Sequence, residues 1–196
     1  MQERAMAQMQ DRSAEHYLML ETPFGTCGIA WHERGLTRLQ LPEPTPDATE
    51  QRLAVHGRRP WAASDPLPPA IAAIVTELTS YFAGDATTFA DVEIDFGPRP
   101  RIHLDLYATA RKIPWGETVT YGELARAIGM PGGARVVGQV MGSNPVPVIM
   151  PCHRVLASGN ALRGFSAPGG IATKQRLLDL ERATAVERLP LFAARP

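Results

Sequence analysis

Residues 97–100 read Gly-Pro-Arg-Pro, and the spacing of apolar residues changes at that point. Proline fixes φ, lacks a backbone donor and biases the residue before it away from helix. No helix or interior strand is therefore expected to run through this tetrapeptide. Before it, short apolar runs are separated by turn residues. After it, apolar residues recur at helical spacing. Two small lobes follow, residues 1–100 and 101–196, although 196 residues also fit one compact domain.

The first lobe reads as a small mixed sheet with helices. Tyr17 to Leu20 alternates weakly, and Thr22-Pro23-Phe24-Gly25 is turn chemistry. Cys27 to Trp31 and Leu36 to Leu41 predict two strands around Glu33-Arg34-Gly35. A short helix is expected over Ala48 to His56, an irregular stretch over Trp61 to Pro69, and a strand over Phe89 to Phe96. Ala70 to Phe82 places Ile71, Ile74, Val75, Leu78, Tyr81 and Phe82 at helical spacing.

The second lobe is richer in helix signals. Ile102, Leu106, Ala110 and Ile113 share one face of a helix that Pro114-Trp115-Gly116 ends. Thr120 followed by Glu123 is a capping box for a helix over Tyr121 to Ile128. Gly129, Pro131 and Gly132-Gly133 separate it from a second helix over Ala134 to Gly142, a helix-turn-helix pattern. Ile149 to Pro151 suits a buried strand or a loop. Leu156 to Leu162 suits a hairpin around Ser158-Gly159-Asn160. Ile171 to Glu181 suits a closing helix with Ile171, Leu177, Leu178 and Glu181 inward.

Composition excludes several classes. No run of about 18 apolar residues exists, so no membrane span is expected. Met1 to His16 carries charges and no apolar core, so it reads as a short frayed leader and not a signal peptide. The cytoplasm is then the default compartment, where thiols stay reduced. Two cysteines, Cys27 and Cys152, exclude a disulfide framework and a cysteine-rich zinc site. Net charge is zero, but residues 101–182 hold ten Lys/Arg against five Asp/Glu, and the remainder holds ten against fifteen. The second lobe thus suits a polyanionic partner.

The chemistry concentrates in one stretch from Asn144 to Val155, where Cys152 is followed by His153 and Arg154. A thiol of ordinary pKa, about 8.5, needs a nearby base or cation to react at neutral pH. Adjacent residues on an extended chain point to opposite sides. Either a turn or a bridging water must therefore connect His153 to Cys152.

Five words occur in order. They are Ile113-Pro114-Trp115-Gly116 with Thr120-Tyr121-Gly122-Glu123-Leu124-Ala125, then Ala134-Arg135-Val136-Val137-Gly138, Gly142-Ser143-Asn144-Pro145, Pro151-Cys152-His153-Arg154-Val155, and Gly164-Phe165-Ser166 followed by Lys174 and Leu177-Leu178. In these words the chain resembles the O6-alkylguanine-DNA alkyltransferases, also called methylated-DNA–protein-cysteine methyltransferases. The match covers roughly residues 113–181, with a looser likeness through Thr22-Pro23-Phe24-Gly25.

The resemblance implies an α+β fold: an N-terminal mixed α/β, ribonuclease-H-like lobe and a C-terminal helical, winged-helix-like DNA-binding lobe. It implies transfer of an alkyl group from O6-alkylguanine in double-stranded DNA, and possible action on O4-alkylthymine, onto Cys152. Each molecule would act once, as a monomer, with no metal, no organic cofactor and no obligate protein partner. His153 matches the residue that takes the thiol proton through a water, Glu181 the carboxylate that orients it, and Asn144 the brace of the loop. Arg135, flanked by small Ala134, matches a finger that fills the space of an extruded base. Tyr121 matches the residue that supports nucleotide rotation. Val155 and Ser166 match backbone readers of the guanine edge, and Phe165 matches the lid.

This chain departs from the pattern at Phe165, where a tyrosine is frequent, and in the extra pair Ala167-Pro168. With Gly169-Gly170 beyond it, a longer lid implies tolerance of alkyl groups larger than methyl. Two other classes compete: a protein that only binds the lesion, and a transcriptional regulator that uses the helix-turn-helix and senses alkylation through Cys152.

Overall fold

The computed structural model describes residues 15–181, so the leader up to residue 14 and the tail from residue 182 lie outside the described residues. The chain forms two compact units. Residues up to 83 with 91–97 make the first, and 84–90 with 98 onward make the second.

In the first unit, β1 (His16–Thr22), β2 (Gly25–His32), β3 (Gly35–Gln40) and β4 (Arg59–Pro60) form one sheet in the order β3-β2-β1-β4. β1 and β2 are an antiparallel hairpin from His16 opposite Trp31 to Thr22 opposite Gly25. The Thr22 hydroxyl closes its turn by donating to the Gly25 carbonyl at 2.7 Å and accepting from the Phe24 amide at 3.2 Å. Helix α1 (Pro46–Leu53) starts at Thr45, whose hydroxyl accepts from the Ala48 amide at 3.2 Å, with Pro46 in its first turn. Leu53 of this helix packs with Tyr17 and Ala30 from the sheet. Helix α2 (Pro69–Ala83) buries Ile71, Ile74, Leu78, Tyr81 and Phe82, while Val75 is half-buried.

Two first-lobe expectations change. Phe89 to Phe96 is not a strand. Phe89 has φ 51°, which breaks the extension, and the segment offers a single bridge between Ile94 and Leu36. Arg59–Pro60, next to the stretch read as irregular, is a short strand parallel to β1, held by Arg59 N–H to Glu15 and Trp61 N–H to Tyr17 at 2.9 and 2.8 Å. Proline is tolerated there because β4 is the edge strand.

In the second unit, helix α3 (Arg101–Ala110) buries Leu106 and Ala110, Ile113 follows buried, and Ile102 is half-buried. Helix α4 (Tyr121–Ala127) has its capping box complete. Thr120 accepts from the Glu123 amide at 3.1 Å, and the Glu123 carboxylate accepts from the Thr120 amide at 2.7 Å. It stops at Gly129, φ 77°, whose amide donates to Arg126 while the Met130 amide donates to Ala125. Those paired bonds satisfy the last carbonyls of the helix and need a residue at positive φ. Helix α5 (Ala134–Gly142) completes the helix-turn-helix, with Val137, Val140 and Met141 buried.

Val155–Leu156 (β6) pairs in parallel with Val119–Thr120 (β5). The expected hairpin over Leu156 to Leu162 is therefore absent. Gly159 and Asn160, at φ 70° and 57°, instead close a tight turn, and the Ala157 amide donates to the Ala161 carbonyl at 2.9 Å. Helix α6 (Gly170–Leu180) also differs from expectation, because Ile171 is 48% exposed. The two positive-φ glycines Gly169 and Gly170 start this helix, and its buried face begins at Thr173 and Lys174. Ala167-Pro168 is not a slack arm. The Gly170 amide donates to the Ala167 carbonyl at 3.0 Å, and the Thr173 hydroxyl donates to the Pro168 carbonyl at 2.5 Å.

Candidate active site

The segment after α5 is folded by its own polar atoms. The Asn144 side-chain oxygen accepts from the Val146 amide at 3.0 Å, and its nitrogen donates to the Met150 carbonyl at 2.8 Å and to the Cys152 sulfur at 3.1 Å. Met150 returns its amide to Val146 at 2.9 Å. The reversal forces buried Val148 to φ 76°. A β-branched residue there costs about 1–3 kcal/mol and persists only where the surroundings impose it. The segment read as strand or loop is thus a buried, braced loop.

Cys152–Arg154 is one turn of 3-10 helix. Successive side chains diverge by about a third of a turn on such a helix. Cys152 and His153 therefore leave the backbone in different directions, both buried. The backbone turns at this point.

His153 Nε2 lies 2.8 Å from Glu181 Oε1. Glu181 follows α6 and is 1% exposed. Arg154 grips the same carboxylate, Nε to Oε2 and Nη2 to Oε1, both at 2.8 Å, and its Nη1 donates to the Ile113 carbonyl at 2.7 Å. The Gly116 amide adds a bond to Oε2 at 3.3 Å. One buried carboxylate thus ties the Ile113–Gly116 turn, the 3-10 turn and the end of α6 together.

The electrostatics follow from this arrangement. Burial raises the Glu181 carboxyl, but His153 and Arg154 outweigh it and hold the group well below the usual carboxylate range. Burial pushes His153 below its ordinary value against the pull of Glu181, so the ring is neutral at neutral pH. A neutral ring beside a carboxylate carries its proton on the nitrogen facing that carboxylate, here Nε2. Burial pushes the Cys152 thiol up, opposed by the Asn144 hydrogen bond and the Lys174 charge.

Lys174, fully buried, donates to the Val155 carbonyl at 2.7 Å and to the Arg163 carbonyl at 3.4 Å. Burial lowers it to about 8. Its Nζ sits 5.7 Å from the centre of the Tyr121 ring. Tyr121 is raised by burial and then by Cys152, and its hydroxyl donates to the Arg163 and Gly164 carbonyls at 3.2 and 3.4 Å. Tyr121 also lines an open cleft of about 550 Å³, together with Arg135, Phe165 and Ser166.

Two groups of expected residues therefore assemble. Asn144 meets Cys152, His153 meets Glu181, and Tyr121, Arg135, Phe165 and Ser166 line the cleft. Ala134 is the half-buried first residue of α5, and Val155 is buried in β6; neither lines the cleft. Arg154 and Lys174 were not assigned roles from the sequence. A charged side chain within an otherwise apolar run was the available sign of the first. Lys174 carried no such sign. Among the described residues no group of three His, Cys, Asp or Glu converges to hold a metal ion, and no helix is long and apolar enough to cross a membrane.

Fold and site together define a class: a small sheet-and-helix unit joined to a helix-turn-helix unit that holds a braced, buried thiol backed by a histidine–carboxylate pair. Residues 16–96 match the 6-O-methylguanine DNA methyltransferase, ribonuclease-like domain, and residues 101–183 match the 6-O-methylguanine DNA methyltransferase, DNA binding domain. The chain is 38% identical over 177 residues to the methylated-DNA–protein-cysteine methyltransferase of Mycobacterium bovis, covering 90% of this chain and 98% of that one. It is 32% identical over 163 residues to the protein of that name from Salmonella typhimurium, covering 81% and 91%. The Mycobacterium tuberculosis OGT solved in complex with DNA superposes with a TM-score of 0.68 at 36% identity, covering 91% of this chain and 99% of that one. The chain belongs to the 6-O-methylguanine DNA methyltransferase family.

Proposed function

We propose that this protein repairs O6-alkylguanine in double-stranded DNA by moving the alkyl group irreversibly to Cys152. The observation that carries this reading is the Cys152 sulfur, which accepts a hydrogen bond from Asn144 and is followed by the His153–Glu181 pair. Glu181 engages Nε2, so Nδ1 is the nitrogen that takes the thiol proton, through a water. The thiolate attacks the alkyl carbon in line. The S–C bond forms, the C–O6 bond breaks, and its electron pair leaves with guanine, which takes up a proton. The thioether is stable, so one chain performs one transfer.

Burial raises the thiol, while Asn144 and Lys174 favour the thiolate once it forms. Tyr121 supports rotation of the nucleotide into the cleft, and Arg135, with Ala134 allowing close approach, fills the vacated stack. The Val155 carbonyl and Ser166 amide read the guanine edge, and Phe165 closes over the base. A carbonyl has two lone pairs, so the bond from Lys174 leaves Val155 an acceptor site. The protein acts as a monomer in the cytoplasm, and its two lobes part close to the expected boundary at residue 100, except that residues 84–90 go with the second lobe. It uses no metal, organic cofactor or obligate protein partner.

Incubation with a duplex carrying a single O6-methylguanine, followed by intact mass, tests the reading. Gain of one methyl per chain, with no second gain on further substrate, is expected. An unchanged mass beside tight lesion binding contradicts it and favours a protein that only binds the lesion.

A further inference from the structure

We propose that Arg163 is a phosphate-binding arginine at the cleft, taking the DNA backbone beside the extruded nucleotide while Arg135 fills the vacated stack. The proposal rests on the DNA-repair reading above and adds a residue to it. Arg163 is exposed and lines the cleft together with Arg135. Among the described residues its guanidinium meets no carboxylate. Arg101 is different, because Asp105 holds it at 2.8 Å.

The root of the side chain is fixed. The Arg163 carbonyl accepts from the Tyr121 hydroxyl at 3.2 Å and from the Lys174 ammonium at 3.4 Å. Tyr121 and Lys174 are themselves held by burial in the unit. Ordering a side chain on binding costs free energy, and a fixed root lowers that cost.

No Asp or Glu lines the cleft, and Arg135 and Arg163 are its two charged residues. Gly138 and Gly142 of α5 form part of the wall, and a side chain built at either would meet nothing within 4 Å. That open wall lets a backbone come close to both arginines. The planar fork of a guanidinium matches two oxygens of a phosphodiester. A ring stacked on the base is already supplied by Phe165, which leaves the phosphate as the group Arg163 is placed to take.

The test is the salt dependence of binding to a fluorescent duplex with one O6-methylguanine, using the full chain with Cys152→Ser so the lesion persists. Each phosphate contact contributes a slope of about −0.9 in log K against log salt. Arg163→Ala should flatten the slope by about that amount and weaken binding several-fold at low salt. Arg163→Lys should restore the slope with part of the affinity. Arg163→Ala with the slope and affinity of the parent overturns the proposal, as does Arg163→Glu binding as well as Arg163→Ala. If the wild-type chain gains no methyl from the same duplex while the slope still flattens, the transfer reading fails and the phosphate contact stands.

Discussion

Cys27 and Cys152 are both buried, and the groups around their sulfurs differ. Cys27 sits within β2, paired with Leu20 across the hairpin, with the Thr22 hydroxyl 3.9 Å from its sulfur. Cys152 sits in a tight 3-10 turn, receives the Asn144 amide at 3.1 Å, and lies within the field of Lys174. Burial in apolar surroundings raises a thiol pKa and makes it inert. A buried cysteine becomes a nucleophile only where directed donors favour its anion and a base stands ready. The Asn144 donor and the Lys174 charge act on one sulfur, and the other sits in strand packing.

Exchanging the two thiols for hydroxyls breaks the comparison most directly. Cys152→Ser should abolish transfer while duplex affinity stays within a few-fold, and Cys27→Ser should transfer fully. Single-turnover assays with a methylated duplex check both, and transfer surviving in the first variant would end the assignment.

Glu181 comes next in size. Removing one partner of a buried charge pair costs about 3–5 kcal/mol, so Glu181→Gln should lower the urea midpoint markedly and slow transfer. Its pH dependence sharpens the point. The Glu181 carboxyl is held low in the folded chain, and an unfolded glutamate titrates near about 4.3. As pH falls below that value the unfolded chain binds more protons, so stability is present above it and lost beneath it. The wild type should lose more stability than Glu181→Gln between pH 7 and pH 3.5. Equal losses would show that the pair is not what acid attacks.

Arg135 tests the surroundings of the reactive thiol and not the thiol itself. Opening a stack costs a few kcal/mol, so Arg135→Ala should slow repair of duplex DNA by about ten- to a hundred-fold more than reaction with free O6-benzylguanine. Equal slowing on both substrates removes the finger role.

The smallest effect concerns the lid. Ala167-Pro168 is built into the start of α6, so its length sets where Phe165 and Ser166 stand. Deleting both residues should lower the benzyl-to-methyl rate ratio by a few-fold. A folded deletion variant with an unchanged ratio places the pair outside the lid.

Much of this was legible in the sequence because the signals were local. The Thr120–Glu123 capping box and the Gly129 helix stop each involve neighbours, and both form as read. Glu181 stands 28 residues from His153. Helical spacing put Glu181 on the inner face of the closing helix but gave it no partner, and the family resemblance implied the pair. Arg154 was missed because its bonds reach Ile113 and Glu181, 41 and 27 residues away. β6 was misread because parallel pairing with β5 leaves no turn signature between them. Ile171 was misplaced because helical spacing gives a face but not the turn at which burial begins.

The central claim is that only the braced thiol reacts. The direct measurement is peptide mapping by mass spectrometry after stoichiometric incubation of the wild-type chain with an O6-methylguanine duplex. A single methyl on the peptide holding Cys152, with the Cys27 peptide unmodified, is the predicted result. Methyl on Cys27, or shared between the two, would contradict the account.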